Sequence, residues 1–336
     1  LLGFGAAGTM LSFFRKKLTD HSNTLLPLLM IVCSLAMVMA VWLSRSSFAR
    51  FDSYLLFADK GQWVSLLINY LLYFLPFFFG ALALGIIFVK HVSGISQFYF
   101  FNLLGSGIGA IVVAALSWYF FPAVLPILIA LLGLAAGLLL LQKNKSAPIL
   151  LSLSFITLVV TISRLLQPVD LILSEYKSLS RTLNLPSAHI TLKKASPYGL
   201  TEVVAADALR YAPGLSLAFT GEVPVKKAVF NNGEWFGPLV SWKKEDSVHI
   251  LDYSPITLPY ALKPRNKVLV LQAGTGIKVS HAINRGARSV DAIELHRAIN
   301  QLLLHEMAND NDSLYYHPGI KLRSTEPRNF LSVASE

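Results

Sequence analysis

Charge and cysteine are the two things this sequence has least of. Asp, Glu, Lys and Arg make up 14% of its 336 residues, against about 25% in an ordinary soluble domain. With 54% hydrophobic residues and a mean hydropathy of +0.55, a wholly water-soluble chain is excluded. The single cysteine, Cys33, has no partner for an intrachain disulfide, and a cysteine-based metal site is excluded with it. It sits in an apolar run and reads as a buried, inert thiol. No metal is expected elsewhere. The net charge of +10 raises nucleic acid as a partner. The basic residues are scattered rather than gathered on one face, which fits loops of a membrane protein facing anionic lipid. No nucleic acid is expected.

The shortage of charge is uneven. From Leu25 to Ile162 charges occur only in short clusters, whereas from Arg164 onward they are frequent. Two regimes imply a transmembrane helical domain over 1–166, a linker over 167–186 and a water-soluble domain over 187–336. A span needs about 20 apolar residues. Leu25–Leu43 and Trp63–Val89 meet this, and Tyr99–Phe121 with Pro122–Leu141 reads as an antiparallel hairpin of two more. Leu1–Phe14 reads as the tail of a span, so the chain is expected to be a fragment of something longer at both ends. Ala147–Ser163 is either a sixth span or an interfacial helix, giving five or six in all.

Basic clusters orient these segments. Arg15-Lys16-Lys17, Lys90 and Lys143/Lys145 fall on one side, taken as cytoplasmic, and Arg45, Arg50 and Lys60 on the other. If Ala147–Ser163 spans, the soluble domain emerges outside; if it lies flat, that domain stays in the cytoplasm. The expected location is the cell (inner) membrane, multi-pass, with the lipid bilayer as partner and a cytoplasmic soluble domain, the topology being open. Gly3-Phe-Gly5-Ala-Ala-Gly8 matches a dinucleotide fingerprint by letter, but no strand precedes it. Close helix packing is the reading preferred. Gly105-Ser-Gly107-Ile-Gly109 has the small-residue spacing of a helix–helix contact, a route to oligomers, and Asn102 one turn earlier reads as a hydrogen bond to a neighbouring helix.

Beyond Pro186 the period shortens. His189–Lys193, Thr201–Ala205, Leu215–Phe219 and Ala228–Phe236 read as short strands of a small antiparallel region over 187–250, and Asn231-Asn232-Gly233 marks a tight hairpin. Over 265–336 the order becomes β-α-β-α-β. Val268–Leu271 is an apolar strand expected to be covered on both faces. Gln272-Ala273-Gly274-Thr275-Gly276 is a glycine turn, and Ile277–Arg285 a helix. Ser289–Leu295 carries Glu294 twenty positions beyond Gly274, Arg297–Met307 is a second helix, and Ile320–Arg323 a third strand. This order predicts a partial doubly wound, Rossmann-like nucleotide-binding sheet. Glycines let a ligand approach the backbone at the carboxyl edge, and an acid ending the second strand accepts ribose hydroxyls.

Val268-Leu-Val-Leu-Gln-Ala-Gly-Thr-Gly276 and Val290-Asp-Ala-Ile-Glu294-Leu resemble the first two motifs of class I methyltransferase folds, the spermidine synthase branch in particular. Ser196-Pro-Tyr-Gly199 with Glu202-Val-Val204 is similar to the β segment preceding the sheet in that branch. Glu326-Pro327-Arg328 sits where the family has an acid opening the next helix. The segments around Gly3 and Asn102 resemble membrane segments of bacterial proteins fused to such domains. The resemblance implies a methyltransferase-type sheet, truncated at the C-terminus before the family's catalytic aspartate, so no catalytic residue is assigned.

It also implies a domain that binds S-adenosylmethionine or its decarboxylated form as substrate, with a polyamine as second substrate. Gln272, Ala273, Gly274 and Gly276 would line the nucleoside, Glu294 would hold its ribose and Glu326 its adenine. Gln272 replaces a family glycine, and Leu251-Asp252-Tyr253 stands where the family has a Tyr-His-Glu type cluster. Three functions follow as expectations: a membrane-anchored aminopropyltransferase-like or methyltransferase-like enzyme, a transporter with a sensing domain, and an inactive domain serving as a membrane scaffold.

Overall fold

The computed structural model describes residues 1–141, 146–168, 170, 172–210, 214–221, 223, 225–243 and 250–333. Lys143 and Lys145, read above as part of the basic side, lie outside the described residues. The chain divides into two units, Leu1–Ile172 and Leu173–Glu336, so the boundary falls inside the 167–186 stretch read as a linker.

The first unit is helical: α1 Leu2–Asp20, α2 Ser22–Leu43, α3 Gly61–Lys90, α4 Ile95–Leu116, α5 Leu125–Leu139 and α6 Ala147–Leu166. Four helices are long and apolar enough to cross a membrane, namely α2, α3, α4 with the short turn before it, and α6. With no water in the hydrocarbon region, a helix is the structure that pairs its own backbone groups. Helix α5 is apolar but has 15 residues, too few by length alone. Helix α1 changes direction at Phe14, whose φ of −114° and ψ of 22° leave the helical region.

Helix α2 is the hub, packing on α3, α5 and α6, while α1 packs on α3. Close approach depends on small residues. A Cβ on Gly3 would stand 3.0 Å from the Phe77 Cβ, and one on Gly137 would stand 2.9 Å from Ile31 Cγ1. The packing role expected for the first glycine pattern therefore holds at Gly3 but not at Gly5 or Gly8, which face nothing within 4 Å. Two expectations fail here. Helix α4 buries none of its residues, and α5 packs on α2 and α6 rather than forming the expected hairpin with α4. Gly105, Gly107 and Gly109 likewise meet nothing within 4 Å. The reason is that Gly133 and Gly137, one turn apart on α5, fit against Ser34 and Ile31 of α2, and that contact captures α5.

The direction of α6 follows from its ends. Arg164 near its C-terminus lies 5.0 Å over the ring of Trp42, at the C-terminus of α2. At the opposite end of the bundle, Lys90 of α3 donates to Asn23 of α2 at 2.8 Å, beside the end of α1. Helix α6 thus runs the length of the bundle.

The second unit is α/β. Helix α7 (Ser178–Leu183) leads into β1 His189–Ser196, β2 Gly199–Ala205, β3 Lys227–Asn231 and β4 Glu234–Leu239, an antiparallel sheet in sequential order. Asn232 (φ 52°) and Gly233 (φ 78°) make the expected tight turn between β3 and β4, the left-handed pair that matches strand twist. Leu215–Phe219 is not a strand. Ser216 Oγ accepts from the Ala218 amide at 3.2 Å and its carbonyl from Phe219 at 3.0 Å, so a local turn takes the groups a ladder would need.

Three parallel strands follow: β5 Lys267–Leu271, β6 Ser289–Ile293 and β7 Ile320–Arg323, in the order β5-β6-β7. Between them lie α9 Ile277–Asn284 and α10 Arg297–Leu304, with a short α8 (Leu258–Leu262) before β5 and α11 (Pro327–Val333) after β7. The core joins Val203, Val229 and Leu239 of the first sheet to Val279, Val290, Ile299, Leu302 and Ile320 of the second layer. Strand β5 departs from the expected cover on both faces. It is an edge of the described sheet, and Leu269 and Leu271 remain exposed.

Candidate functional site

The carboxyl ends of β5 and β6 lie side by side because the strands pair in parallel, Leu271 opposite Ile293. The next residue on each strand leaves the ladder there, which brings the turn after β5 to Glu294. Gln272 enters the turn at φ 53°, exposed to solvent. The Ala273 amide donates to the Ile293 carbonyl at 3.0 Å, continuing the pairing by one residue. Gly274 (φ 58°) then directs its amide to Glu294 Oε2 at 3.0 Å. Gly276 (φ 97°) opens α9, and its own amide closes the turn on the Ala273 carbonyl at 3.0 Å. A side chain at Gly276 would be strained by that φ and would meet Leu314 Cδ2 at 2.8 Å and the Tyr315 hydroxyl at 2.9 Å.

Glu294 is 6% exposed. Its Oε1 accepts from the His296 amide at 3.0 Å, and its backbone amide donates to the Arg323 carbonyl at 3.0 Å. Two backbone amides thus hold the Glu294 carboxyl group in a buried position, and hydrogen bonds to its oxygens offset its desolvation. A carboxylate offers about four lone-pair directions, so each oxygen keeps one for a further donor. Asn300 Nδ2 donates to the Glu294 carbonyl at 3.2 Å and to Ser324 Oγ at 2.8 Å, tying the ends of β6 and β7 together.

Around this acid stand groups that sequence reading did not single out. His296 packs its ring 4.9 Å from Tyr198, which sits in the turn between β1 and β2, and 5.4 Å from Phe236 of β4. Burial lowers the His296 pKa, partly opposed by the Glu294 charge, so the ring is favoured neutral. Tyr315 is 7% exposed and its hydroxyl has no hydrogen-bond partner. Burial and the nearby Glu294 charge push that hydroxyl's pKa far up, keeping it a protonated donor. A buried donor without a partner costs about 1–3 kcal/mol, and here it faces the glycine turn. The signal for His296 and Asn300 was their distance from Glu294 on one strand–helix junction. Tyr315 gave no signal, since only the fold brings it back to Gly276.

Glu326 takes a different role in bonding. Its Oε2 accepts from the Asn329 amide at 2.9 Å, capping α11, the ordinary use of an acid before a helix. Asp252 pairs with Arg285, which caps the C-terminus of α9, and lies 4.0 Å from His281 Nδ1. Tyr253, its neighbour, is exposed and packs on Phe219. Thr275 Oγ1 donates to the Pro238 carbonyl at 2.5 Å, fastening the turn to β4. Among the described residues, no group of three or more His, Cys, Asp or Glu comes together as a metal site would need.

Comparison with protein-family models and with curated proteins returns no match for this chain. The site is therefore read from its own chemistry.

Proposed function

We propose that this chain is a membrane-bound spermidine synthase-like protein whose α/β unit binds S-adenosylmethionine or its decarboxylated form and serves aminopropyl transfer to a polyamine. The observation that carries the reading is buried Glu294 at the end of β6, bonded to the Gly274 amide of the turn that ends β5. In parallel α/β sheets, ligands bind at this carboxyl edge. The remaining lone pairs of Glu294 suit two vicinal ribose hydroxyls. Ala273, Gly274 and Gly276 leave little or no side chain between their backbone and the rest of the nucleoside, Gln272 flanks it, and the unpartnered Tyr315 hydroxyl supplies a donor beside them. Glu326 keeps an oxygen free for an adenine amine. The bound sulfonium would supply the electrophilic carbon; the contribution of these residues is to bind and orient it, which for in-line displacement is a large share of the rate.

Calorimetric titration of the purified full-length protein tests this. Either nucleoside is expected to bind, and Glu294→Gln to weaken binding at least tenfold with the melting profile retained. No heat from either nucleoside defeats the proposal.

A second reading is an inactive sensing or scaffold domain, attached to a transporter or to a membrane complex. Two observations favour it. Gln272 puts a side chain where the resembled family has glycine. Helix α6 ends where α2 ends, opposite Arg15, Lys16, Lys17 and Lys90. With the basic end cytoplasmic, the chain leaves the bundle on the far side from cytosolic nucleosides. A reporter fused after Pro186 separates the readings: cytoplasmic signal supports the transferase, extracytoplasmic signal the scaffold.

A further inference from the structure

The membrane unit has a groove that the proposed function does not use. It has a volume of about 470 Å³ and is lined by Gly8, Leu11, Ser12 and Arg15 of α1, by Phe88 near the end of α3 and by Val92 in the turn to α4. That is within the ~300–1,000 Å³ typical of small-ligand sites. The groove exists because of two local features. Gly8 leaves open space, with nothing within 4 Å of where its Cβ would stand. The break in α1 at Phe14 falls immediately before Arg15, at the end of the bundle where α1 gives way to α2. The lining residues are apolar except for Ser12 and Arg15.

Basic residues outnumber acidic ones around that end, where Asp20 stands with Lys16 and Lys17. Among the described residues, Arg15, Lys16 and Lys17 form no ion pair with a carboxylate, and Lys90 reaches the same end through Asn23. Phe13 and Phe14, both exposed, stand beside these cations. An apolar slot along a membrane helix with an unpaired cation at its interfacial end matches one ligand chemistry: an acyl chain carrying a phosphate. We propose that the groove between α1 and the α3–α4 turn binds an anionic phospholipid, its phosphate on Arg15 and one acyl chain along Gly8, Leu11 and Phe88. Juxtamembrane cations attract such lipids in general; what distinguishes this site is the slot beneath the charge.

The test uses the full chain, delipidated and then mixed in detergent with phosphatidylglycerol, phosphatidylcholine or glycerol phosphate, with retained lipid counted by native mass spectrometry. Phosphatidylglycerol is expected to be retained at least fivefold over phosphatidylcholine, and glycerol phosphate not at all. Arg15→Gln is expected to cut that preference about fivefold, the size expected for one juxtamembrane cation. Gly8→Leu, which meets no neighbour, is expected to lower retention of both lipids by filling the slot. Equal retention of the two lipids by the wild type overturns the proposal. So does binding of glycerol phosphate as strong as that of the lipid, or an Arg15→Gln, Gly8→Leu double variant that retains lipid like the wild type.

Discussion

Helices α2 and α4 have the same length, 22 residues each, and both are apolar enough to cross a membrane. Yet α2 buries Leu26, Leu29, Ile31, Ser34 and Val38 among others, and α4 buries nothing. Hydropathy therefore specifies which segments leave water without specifying which of them touch. In a lipid environment apolar side chains gain no hydrophobic benefit from meeting each other, so packing depends on how closely backbones approach. Helix α2 has Gly133 and Gly137 of α5 fitted to it. The glycines of α4 have the same spacing and no neighbour.

The largest expected effect comes from closing the approach to α2. Gly137→Leu forces its side chain against Ile31 and the Pro27 carbonyl and is expected to destabilise the protein by about 1–3 kcal/mol, the range for overpacking. The matched change Gly105→Leu on α4 is expected to stay within about 0.5 kcal/mol, as surface substitutions do. Thermal unfolding in one detergent measures both, and equal losses would break the comparison.

A pH effect of intermediate size should separate the two units. His281, on α9, is buried with neither ring nitrogen hydrogen-bonded. It faces Tyr260 edge-on, Asp252 at 4.0 Å and, through Asp252, Arg285. Burial lowers its pKa, with Asp252 opposing and Arg285 assisting. Because the unfolded chain binds this proton more readily, stability from the neutral ring is present above the ordinary value of about 6.5. It is lost as pH falls below that value toward the folded pKa. Hydrogen exchange resolved by segment should show α9 loosening as pH falls below about 6.5 while α2, which carries no His, Asp or Glu, does not. His281→Phe should flatten the profile.

The smallest effect concerns Asn102 of α4. With lipid on that face, Asn102→Leu is expected to be neutral or stabilising by less than about 1 kcal/mol, because a polar amide leaves the hydrocarbon region. A clear loss of stability, or a change in oligomer mass by light scattering, would show that α4 packs on a further helix.

Much of the α/β unit was legible because its signals are local. Asn231-Asn232-Gly233 demands left-handed backbone, and β6 ends in an acid at the spacing that parallel pairing requires. Glu294 and Gly274 lie together because parallel register sets the ends of β5 and β6 side by side. What sequence could not carry was competition between similar segments. The pattern at Gly105–Gly109 was as good as that at Gly133 and Gly137, and only the shape of α2 selected between them. Leu215–Phe219 alternates like a strand, but Ser216 offers its backbone a nearer partner. Tyr315 lies 39 positions beyond Gly276 and reaches it across three intervening elements, α9, β6 and α10, so no pattern in the chain announces it.

The bond from Gly274 to Glu294 has a consequence for entropy. A glycine-containing turn free in solution samples many conformations, and ordering a residue's backbone costs roughly 1–2 kcal/mol. Here one carboxylate clasps amides at Gly274 and His296, and Thr275 is fastened to Pro238. The turn is therefore ordered before any guest arrives, and that cost falls on folding instead of on binding. Loosening the clasp should slow capture and shorten residence together, even where no contact to the guest has been removed.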